Sequence, residues 1–190
     1  MKRVVRFNPR YREYLDYLDK HIGGVIRAWE DILRPALEEA DDQMVLDQVD
    51  LDKLGLQVYN HDRSKYDSEE FNGYCNHWYP QDGSDVGHDA DKPEGDASYD
   101  YAWSHHQHNN PHHSQYWLIV KDDGEVQALD IPMNYILEML CDWHSFSQDP
   151  GENTAYDWWQ QNRDKFIMSD ATIANIDHCI EYLKTPLCDL

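Results

Sequence analysis

Apolar side chains recur every three to four residues along much of the chain, which is the spacing of one buried face of an α-helix. The longest such pattern runs from Tyr14 to Leu37 and predicts a long first helix. Within it, Gly23-Gly24 favours a bend, and Pro35 favours a kink or a restart because proline lacks the backbone N–H. The chain is therefore expected to begin with a long amphipathic helix that is bent or interrupted.

Further stretches combine the helical spacing with capping residues. They predict helices over residues 44–59, 68–78, from 98 into a histidine-rich segment at 104–113, and over 132–143, 154–167 and 170–183. Two short apolar segments, 116–120 and 126–129, flank Asp123-Gly124 and predict a β-hairpin. We therefore expect an all-α fold in a single domain over residues 1–190, with a core at 10–146, C-terminal helices at 153–185 and one small β-hairpin.

Between residues 80 and 100 the composition changes to Asp, Gly, Ser and Pro, with almost no apolar side chain. This composition predicts a long acidic loop that is exposed to solvent. Its carboxylates do not follow the spacing of an EF-hand calcium loop, so a calcium site is not expected there. A loop of about 20 residues is long enough to act as a lid, although its role stays open.

The charge balance is strongly acidic, with 16 Lys and Arg against 37 Asp and Glu and a formal net charge of −21. A surface of this charge repels phosphate backbones and anionic lipids, so we expect neither an extended nucleic-acid surface nor a polybasic membrane patch. An anionic substrate would need a local positive charge, such as a metal ion. The 13% aromatic content argues against a disordered acidic chain, and the tryptophans at helical positions are expected in the core.

The sequence favours a cytoplasmic protein. No apolar run approaches the roughly 20 residues of a membrane-spanning helix. Asn8-Pro9-Arg10 follows the basic N-terminus, where a signal peptide would have its apolar segment. The four cysteines form no Cys-x-x-Cys pair, which favours reduced, buried thiols over disulfides or a thiolate zinc site.

Histidines and acids suggest a metal site. Five of the 11 histidines lie within nine positions, at His105, His106, His108, His112 and His113. Earlier in the chain, His61 directly precedes Asp62, and His21 lies on the apolar side of the first helix. Glu138 and Asp142 share one face of an apolar helix, where an uncompensated carboxylate is costly and a metal ion is a common compensator. Imidazole and carboxylate suit first-row divalent metals, and this many ligands exceeds the four of a structural zinc site, so we expect an open or a two-metal site.

In chain order the candidates are a histidine, a His-Asp pair, the histidine cluster and an aspartate. This order resembles that of the HD-domain superfamily of metal-dependent phosphohydrolases, all-helical enzymes named for an adjacent His-Asp pair. The segment His61-Asp62-Arg63-Ser64-Lys65 is similar to the His-Asp-x-Gly-Lys variant of the cyclic-dinucleotide phosphodiesterase and nuclease branches, with Ser64 where glycine is usual. The resemblance implies an HD-like helical bundle that holds one or two divalent metal ions. The ligands that it implies are His21, His61, Asp62 and Asp142, with His106 and either His112 or His113 as the additional ligands of dinuclear members.

The resemblance also implies roles for residues around the ligands. Asp62 and Lys65 are the expected catalytic residues, with Lys65 contacting a phosphate oxygen and Arg63 steadying the developing charge. Glu138 is expected to orient a ligand from outside the coordination sphere. Which of the five clustered histidines bind metal stays open, and His105 and His108 are expected either to support a ligand or to be exposed.

Three longer strings are similar to an uncharacterised family of HD-like phage and bacterial proteins. They are His61-Asp62-x-Ser64-Lys65-x-x-x-Glu69-x-Phe71, Ala102-Trp103-x-x-His106-x-x-x-Asn110-Pro111-His112-His113-x-x-Tyr116-Trp117 and Glu138-Met139-x-x-Asp142-Trp143. This resemblance covers residues 15–145 and implies no activity. It is compatible with a virus-encoded protein that acts in the host cytoplasm.

The leading hypothesis is metal-dependent hydrolysis of a small nucleotide or related phosphoester, with one or two ions of Mn, Fe, Zn, Ni or Co, or Mg, as cofactor. The acidic charge favours a small phosphorylated substrate over a polymer. Two alternatives stay open. Some HD-like proteins with four histidines and two aspartates hold two irons and activate dioxygen, so an oxygenase is the first. The second is a non-enzymatic acidic protein that binds a basic partner or mimics a nucleic acid. The oligomeric state is not predicted.

Overall fold

The computed structural model describes residues 8–80 and 96–189. Helices dominate this part of the chain, and its two strands form one short hairpin. The α-helices are α1 (Pro9–Arg27), α2 (Arg34–Ala40), α3 (Gln43–Leu46), α4 (Leu51–Tyr59), α5 (Ser68–Trp78), α6 (Ala97–Asn109), α7 (Met133–His144), α8 (Ala155–Asn162) and α9 (Asp170–Cys179). Short 3₁₀ turns occupy Arg63–Tyr66, Ser114–Trp117, Ser145–Gln148, Arg163–Lys165, Ile180–Tyr182 and Leu187–Asp189. The predicted all-α fold with one small β-hairpin is confirmed.

The first helical run is interrupted by a π-helical segment, Ala28–Leu33, which joins α1 to α2. α1 continues as an α-helix through Gly23-Gly24, so the glycines do not interrupt it. In the π-helical segment the backbone hydrogen bonds span five residues, where an α-helix has four. The backbone N–H of Arg34, for example, donates to the carbonyl of Trp29. The cause is Pro35, which has no N–H and whose ring would clash with the carbonyl one turn earlier. The restart that Pro35 predicted is therefore confirmed.

Three predicted helices differ from the structure in their bounds. The stretch 44–59 is divided into α3 and α4, because the side chain of Asp50 accepts a hydrogen bond from the backbone N–H of Lys53 and starts a new helix. α8 ends at Asn162, where residue 167 was expected, and a 3₁₀ turn follows. α9 ends at Cys179, where residue 183 was expected, and the hydroxyl of Ser169 caps its start by accepting from the backbone N–H of Thr172.

α7 is the central helix of the main hydrophobic core. The helices α1, α4, α8 and α9 and the π-helical segment all contact it. The large side chains that fill this core include Trp29, Leu33, Leu54, Ile136, Leu137, Leu140, Trp159 and Ile176. Each contributes about 1.5–3 kcal/mol to stability when it is fully buried. α7 is thus largely surrounded by apolar groups, which makes the carboxylates on it exceptional.

A second, smaller core lies between α1, α5 and α6 and is mostly aromatic. Its buried members are Tyr14, Leu18, Tyr74, Cys75, Tyr99 and Ala102. α5 and α6 approach closely because Gly73 has no side chain. A Cβ atom at this position would overlap the side chain of Ala102 and the carbonyl of Ser98. The close approach brings the histidine-rich end of α6 against α5.

The hairpin consists of β1 (Leu118–Val120) and β2 (Val126–Ala128), which pair antiparallel. It is shorter than predicted, because residues 114–117 form a 3₁₀ turn before the first strand. Gly124 adopts a positive φ of 86° in the turn, as the predicted Asp-Gly turn requires.

Most of the predicted acidic loop, residues 81–95, lies outside the described residues. Asp96 is described and caps the start of α6. All four cysteines are free thiols, and three of them are buried. None of the helices in residues 8–80 and 96–189 combines the length and the apolar composition that crossing a lipid bilayer requires.

Candidate metal centre

Four separate stretches of the chain meet in one buried cluster of histidines and carboxylates. The residues brought together are His21 on α1, then His61, Asp62 and Lys65 after α4, His106 on α6, His112 and His113 beyond it, and Glu138 and Asp142 on α7. All of them were candidate site residues of the sequence analysis. Groups of these His, Asp and Glu residues could hold a metal ion.

Asp62 lies between the two halves of this cluster and has an unusual backbone conformation. Its φ of 56° and ψ of 21° lie in the left-handed region, which costs most residues about 1–2 kcal/mol and which Asp tolerates better. The 3₁₀ turn that follows leaves Arg63 exposed and places Nζ of Lys65 2.6 Å from Oδ2 of Asp62. The turn thus keeps the carboxylate of Asp62 buried, with one cation beside it.

One half of the cluster surrounds Oδ2 of Asp62. The Nε2 atoms of His21 and His61 lie 3.4 and 3.5 Å from this oxygen. The same two nitrogens lie 3.3 and 3.6 Å from Oδ1 of Asp142. Two imidazoles and two carboxylates therefore converge here.

The other half surrounds Oδ1 of Asp62. The Nε2 atoms of His106 and His112 lie 3.2 and 3.4 Å from this oxygen. Together with His113 they form a group whose ligand atoms all lie within 4.8 Å of one another. Asp62 is common to both halves through its two oxygens.

Four buried polar atoms of the cluster have no hydrogen-bond partner among the described residues. They are Nε2 of His61, His106 and His112 and Oδ1 of Asp62. Leaving such an atom unpaired costs about 1–3 kcal/mol. Most of the 3.2–3.6 Å contacts between these rings and carboxylates are long for hydrogen bonds. Two ligands that are each about 2.0–2.2 Å from one metal ion lie about 3.0–3.5 Å apart, so the donor atoms and their spacing fit a metal.

Glu138 contacts the Nδ1 atoms of two rings, on the side of each ring that faces away from Asp62. Its Oε1 atom lies 2.9 Å from Nδ1 of His61 and 3.3 Å from Nδ1 of His112. The amide of Gln57 donates to its other oxygen. Because a carboxylate accepts from the Nδ1–H of each ring, Nε2 is the nitrogen of each ring that faces the centre and can bind a metal ion. Glu138 thus has the contacts of a residue that orients ligands.

Two further residues fix rings in the same way and were not found from the sequence. Glu70, which is fully buried, accepts from Nδ1 of His106 at 2.8 Å. The hydroxyl of Ser145 donates to the backbone carbonyl of Asp142 at 2.7 Å, and it therefore accepts from Nδ1 of His21 at 3.0 Å. All four rings that contact Asp62 thus have Nδ1 engaged and Nε2 turned to the centre.

The electrostatics of the cluster favour a cation. Burial alone would lower the pKa of His61, but the three neighbouring carboxylates outweigh burial and raise this pKa to about 10. Burial alone would raise the pKa of Asp62 and of Asp142, but the imidazoles beside them, with Lys65 beside Asp62, hold both values well below the usual range. The carboxylates are therefore ionised at neutral pH. The field that holds a proton on His61 also attracts a metal ion, whose binding would release that proton.

His113 and His105 lie at the edge of the cluster. The ring of His113 is 4.7 Å from that of His106, and burial together with the neighbouring histidines lowers its pKa well below the usual range. His113 is thus a neutral imidazole within reach of a ligand position. His105 donates to Oε1 of Glu70 at 2.7 Å and is partly exposed, so it supports Glu70 and does not face the centre.

Two candidates from the sequence lie away from the cluster. His108 is exposed and contacts the carbonyl of Ser104 within α6. Arg63 is also exposed, and its guanidinium donates to the side chain of Asn60. Arg63 does not reach the cluster because the 3₁₀ turn directs it outward while Lys65 points inward.

A cavity of about 860 Å³ adjoins this cluster, which we call the candidate metal centre or, in short, the metal centre. The centre contributes His21, Lys65, His112, His113 and Asp142 to its lining. Its other walls are largely aromatic and include Tyr14, Tyr17, Tyr74, Trp78, Tyr99, Trp103, Trp143, Phe146, Trp158 and Phe166. Three tryptophans that were expected in the core, Trp103, Trp143 and Trp158, thus face this space. Its volume falls within the range of about 300–1,000 Å³ that is usual for small-molecule sites.

Comparison with known proteins places the chain in a family without assigning it an activity. No curated protein matches the chain, and no solved structure matches it. A family model described as a family of unknown function (DUF5662) matches residues 10–182, which include every residue of the metal centre. The chain therefore belongs to this family, DUF5662.

Proposed function

We propose that this protein is a metal-dependent phosphohydrolase that acts on a small nucleotide or a related phosphoester. One observation carries the proposal: buried ring nitrogens and a carboxylate oxygen that have no hydrogen-bond partner among the described residues converge beside a cavity that the partly buried Lys65 also lines. Four histidines and two aspartates exceed the needs of a structural ion, and ligands that adjoin a cavity are typical of a catalytic centre. The HD-like order of the residues supports the same class of reaction.

The metal ligands divide between the two halves of the centre. They would be His21, His61 and Asp142 in one half and His106 and His112 in the other, with Asp62 between them. When bound, divalent ions lower the pKa of a coordinated water and polarise the phosphorus–oxygen bond. The chain's own part is to aim Nε2 of each ring at the ion, which Glu70, Glu138 and Ser145 do by accepting a hydrogen bond from Nδ1.

Lys65 supplies a positive charge at the boundary between centre and cavity. Its ammonium donates one hydrogen bond to Asp62, which leaves two N–H bonds for an oxygen of the substrate. Burial alone would lower the pKa of Lys65, but Asp62 and Asp142 outweigh burial and raise it. The ammonium therefore stays charged and stabilises the negative charge that develops on the phosphate.

The charges and walls of the cavity favour a small substrate with a planar ring. The net charge of −21 repels a polyanion at long range. Lys20 also lines the cavity, but it is paired with Asp149 at 2.7 Å. The aromatic walls offer faces on which a nucleobase can stack. A mononucleotide meets both conditions better than a nucleic acid does.

Elemental analysis of untagged protein tests the metal centre. We expect the wild-type protein to hold one or two equivalents of a divalent metal. His106→Ala should lose metal, because His106 faces Asp62, whereas His108→Ala, an exposed histidine of the same helix, should retain it. Less than one equivalent of any metal in repeated wild-type preparations would contradict the proposal.

Hydrolysis of a panel of nucleotides, cyclic dinucleotides and simple phosphomonoesters by the reconstituted protein tests the reaction. We expect activity on at least one member. Asp62→Asn should lower kcat by about 100-fold or more, since it removes the charge shared by both halves of the centre. A wild-type protein that is fully loaded with metal but cleaves no phosphoester would refute the function.

A dinuclear iron oxygenase is the second candidate, because four histidines and two aspartates also suit two irons. Mössbauer spectroscopy and metal analysis after anaerobic purification separate the two. Two irons per chain together with oxygen consumption would favour the oxygenase. Mn, Mg or Zn in a protein that hydrolyses a phosphoester would exclude it.

A further inference from the structure

Two tyrosine hydroxyls near the metal centre are buried without a hydrogen-bond partner among the described residues. Tyr14 and Tyr74 are 1% and 5% exposed, and both side chains line the cavity. Neither hydroxyl oxygen finds an acceptor or a donor within residues 8–80 and 96–189. A buried hydroxyl that forms no hydrogen bond costs about 1–3 kcal/mol, so two of them at one cavity point to a missing partner.

Both tyrosines are placed by helices that also build the metal centre. Tyr14 lies on α1 seven residues before His21, which puts the two side chains on the same helix face two turns apart. Tyr74 lies on α5 four residues after Glu70, which holds the ring of His106. The two tyrosines therefore lie on the helices that carry His21 and Glu70, next to the centre.

The rings of both tyrosines are held in place by other aromatic rings. Tyr14 packs edge-on against Phe71 with ring centroids 5.0 Å apart. Tyr74 packs edge-on against Tyr99 at 5.6 Å and against His106 at 6.0 Å. Rings fixed in this way need little reorganisation when they bind a ligand.

The chemistry of these groups suits an anion. Burial, with a smaller contribution from nearby carboxylates, raises the pKa of both phenols, so each stays protonated and able to donate. Nζ of Lys65 lies 5.5 Å from the centre of the Tyr74 ring. Tyr14, Tyr74 and Lys65 all line the cavity, so two hydroxyl donors and an ammonium belong to its walls. A group with several oxygens that accept hydrogen bonds would satisfy all three.

We propose that the hydroxyls of Tyr14 and Tyr74, together with the ammonium of Lys65, form an anion subsite that binds the non-bridging oxygens of a phosphate group next to the metal centre. This inference rests on the proposed function and names the residues that recognise the phosphate. The aromatic walls beyond the subsite then contact the rest of the substrate.

Calorimetric titration of inorganic phosphate into protein reconstituted with Mn²⁺ tests the subsite. The double variant Tyr14→Phe/Tyr74→Phe removes both hydroxyls and keeps both rings. We expect it to bind phosphate at least about 10-fold more weakly, because hydrogen bonds to a charged ligand are lost, while its manganese content stays that of the wild type. Tyr135→Phe, a half-buried tyrosine of α7 outside the cavity lining, is the matched control and should keep the wild-type affinity.

Thermal unfolding without phosphate gives a second readout. If the hydroxyls lack a partner in the free protein, their removal relieves two unpaired buried groups, and the double variant should unfold at the same or a higher temperature than the wild type. A clear fall in Tm would show that the hydroxyls have a structural partner, and it would overturn the subsite.

The outcomes separate the subsite from the proposed function. Unchanged phosphate affinity in the double variant would overturn the subsite and leave the function intact. Phosphate binding that depends on the two tyrosines, in a protein that hydrolyses no phosphoester, would support the subsite and overturn the function. Failure of the manganese-loaded wild-type protein to bind phosphate would overturn the subsite.

Discussion

Glu69 and Glu70 are neighbours in the sequence and have opposite environments in the structure. Glu69 is exposed and accepts a hydrogen bond from Ser68. Glu70 is fully buried and accepts from His105 and His106. Which of two adjacent acids faces the metal centre is set by the rotation of α5 against α6, and the sequence string singled out Glu69. A single helical step of about 100° thus decides which carboxylate orients a ligand.

Glu70→Gln is expected to lower the affinity for metal by about 10- to 100-fold, because the neutral amide holds Nδ1–H of His106 less firmly and makes the ring less basic. Competition with a chelator of known affinity measures the change. Glu69→Gln is the matched control and should leave the affinity unchanged. An equal effect of both substitutions would show that the loss of charge alone matters.

The residues of the centre could be singled out from the sequence because they stand out locally. An adjacent His-Asp pair, a histidine cluster and an acid within an apolar helix are each visible without a structure. Their orienting partners are not visible in this way. Ser145 lies 124 positions from His21, and the contact arises only from the packing of α1 against the end of α7. For a similar reason the cavity tyrosines were not singled out and the cavity tryptophans were assigned to the core, since helical spacing alone does not distinguish a core face from a cavity wall.

At the scale of the elements, close packing of α5 on α6 positions His106. Gly73 permits this approach, because a Cβ atom there would overlap the side chain of Ala102 and the carbonyl of Ser98. Gly23 on α1 has no atom within 4 Å of the corresponding position. The two glycines therefore serve different purposes, although both lie within helices.

Gly73→Ala is expected to destabilise the protein by about 1–3 kcal/mol, since overpacking forces α5 and α6 apart. Gly23→Ala is the matched control. It should stabilise the protein by up to about 1 kcal/mol, because alanine favours the helix and meets no neighbour. Urea unfolding measures both, and the same sign for both substitutions would contradict the packing argument.

Helices were predictable where the apolar spacing is strong, and the bounds of α5 were predicted as well, whereas the breaks within the longer stretches were not. The division of residues 44–59 depends on the cap at Asp50. The π-helical segment depends on Pro35, which forces the hydrogen bonds before it to span five residues. Both follow from competition between local hydrogen bonds, which hydrophobic spacing does not report.

Asp42 joins the start of α3 to the C-terminal part of the chain. His178 on α9 and Tyr182 beyond it both donate to Oδ2 of Asp42. Burial alone would raise the pKa of this carboxyl, but the two hydrogen bonds outweigh burial and lower it. The stabilisation is therefore present above the ordinary pKa of Asp, near 3.8, and is lost as pH falls through the lower pKa of the folded state.

Asp42→Asn is expected to cost about 1 kcal/mol at pH 7, because His178 is partly exposed and its hydrogen bond is weakened by solvent. The difference from the wild type should shrink below about pH 4, where the wild-type carboxyl itself takes up a proton. Chemical unfolding at several pH values measures it, with the exposed Asp47→Asn as control. A difference that persists undiminished at low pH would contradict this account.

At the scale of the whole molecule, the fold concentrates negative charge where four segments of the chain meet. The net charge of −21 already opposes compaction. The centre adds the buried carboxylates of Asp62, Glu70 and Glu138 and the partly buried carboxylate of Asp142. Lys65 and the imidazoles offset only part of this repulsion. A bound cation would therefore join α1, the turn after α4, α6 and α7 in one folding unit.

Removal of metal by a chelator is accordingly expected to destabilise the whole protein. A ligand present at 100 times its Kd contributes about 2.7 kcal/mol, which corresponds to a fall in Tm of about 5–10 °C for a chain of this size. Calorimetric melting with and without chelator measures the shift. Asp142→Asn should show a much smaller shift because it lacks a ligand, and the exposed Asp130→Asn should behave as the wild type. If the chelator leaves the wild-type Tm unchanged, the four segments are held together by packing alone and the buried carboxylates are balanced by protons on the histidines.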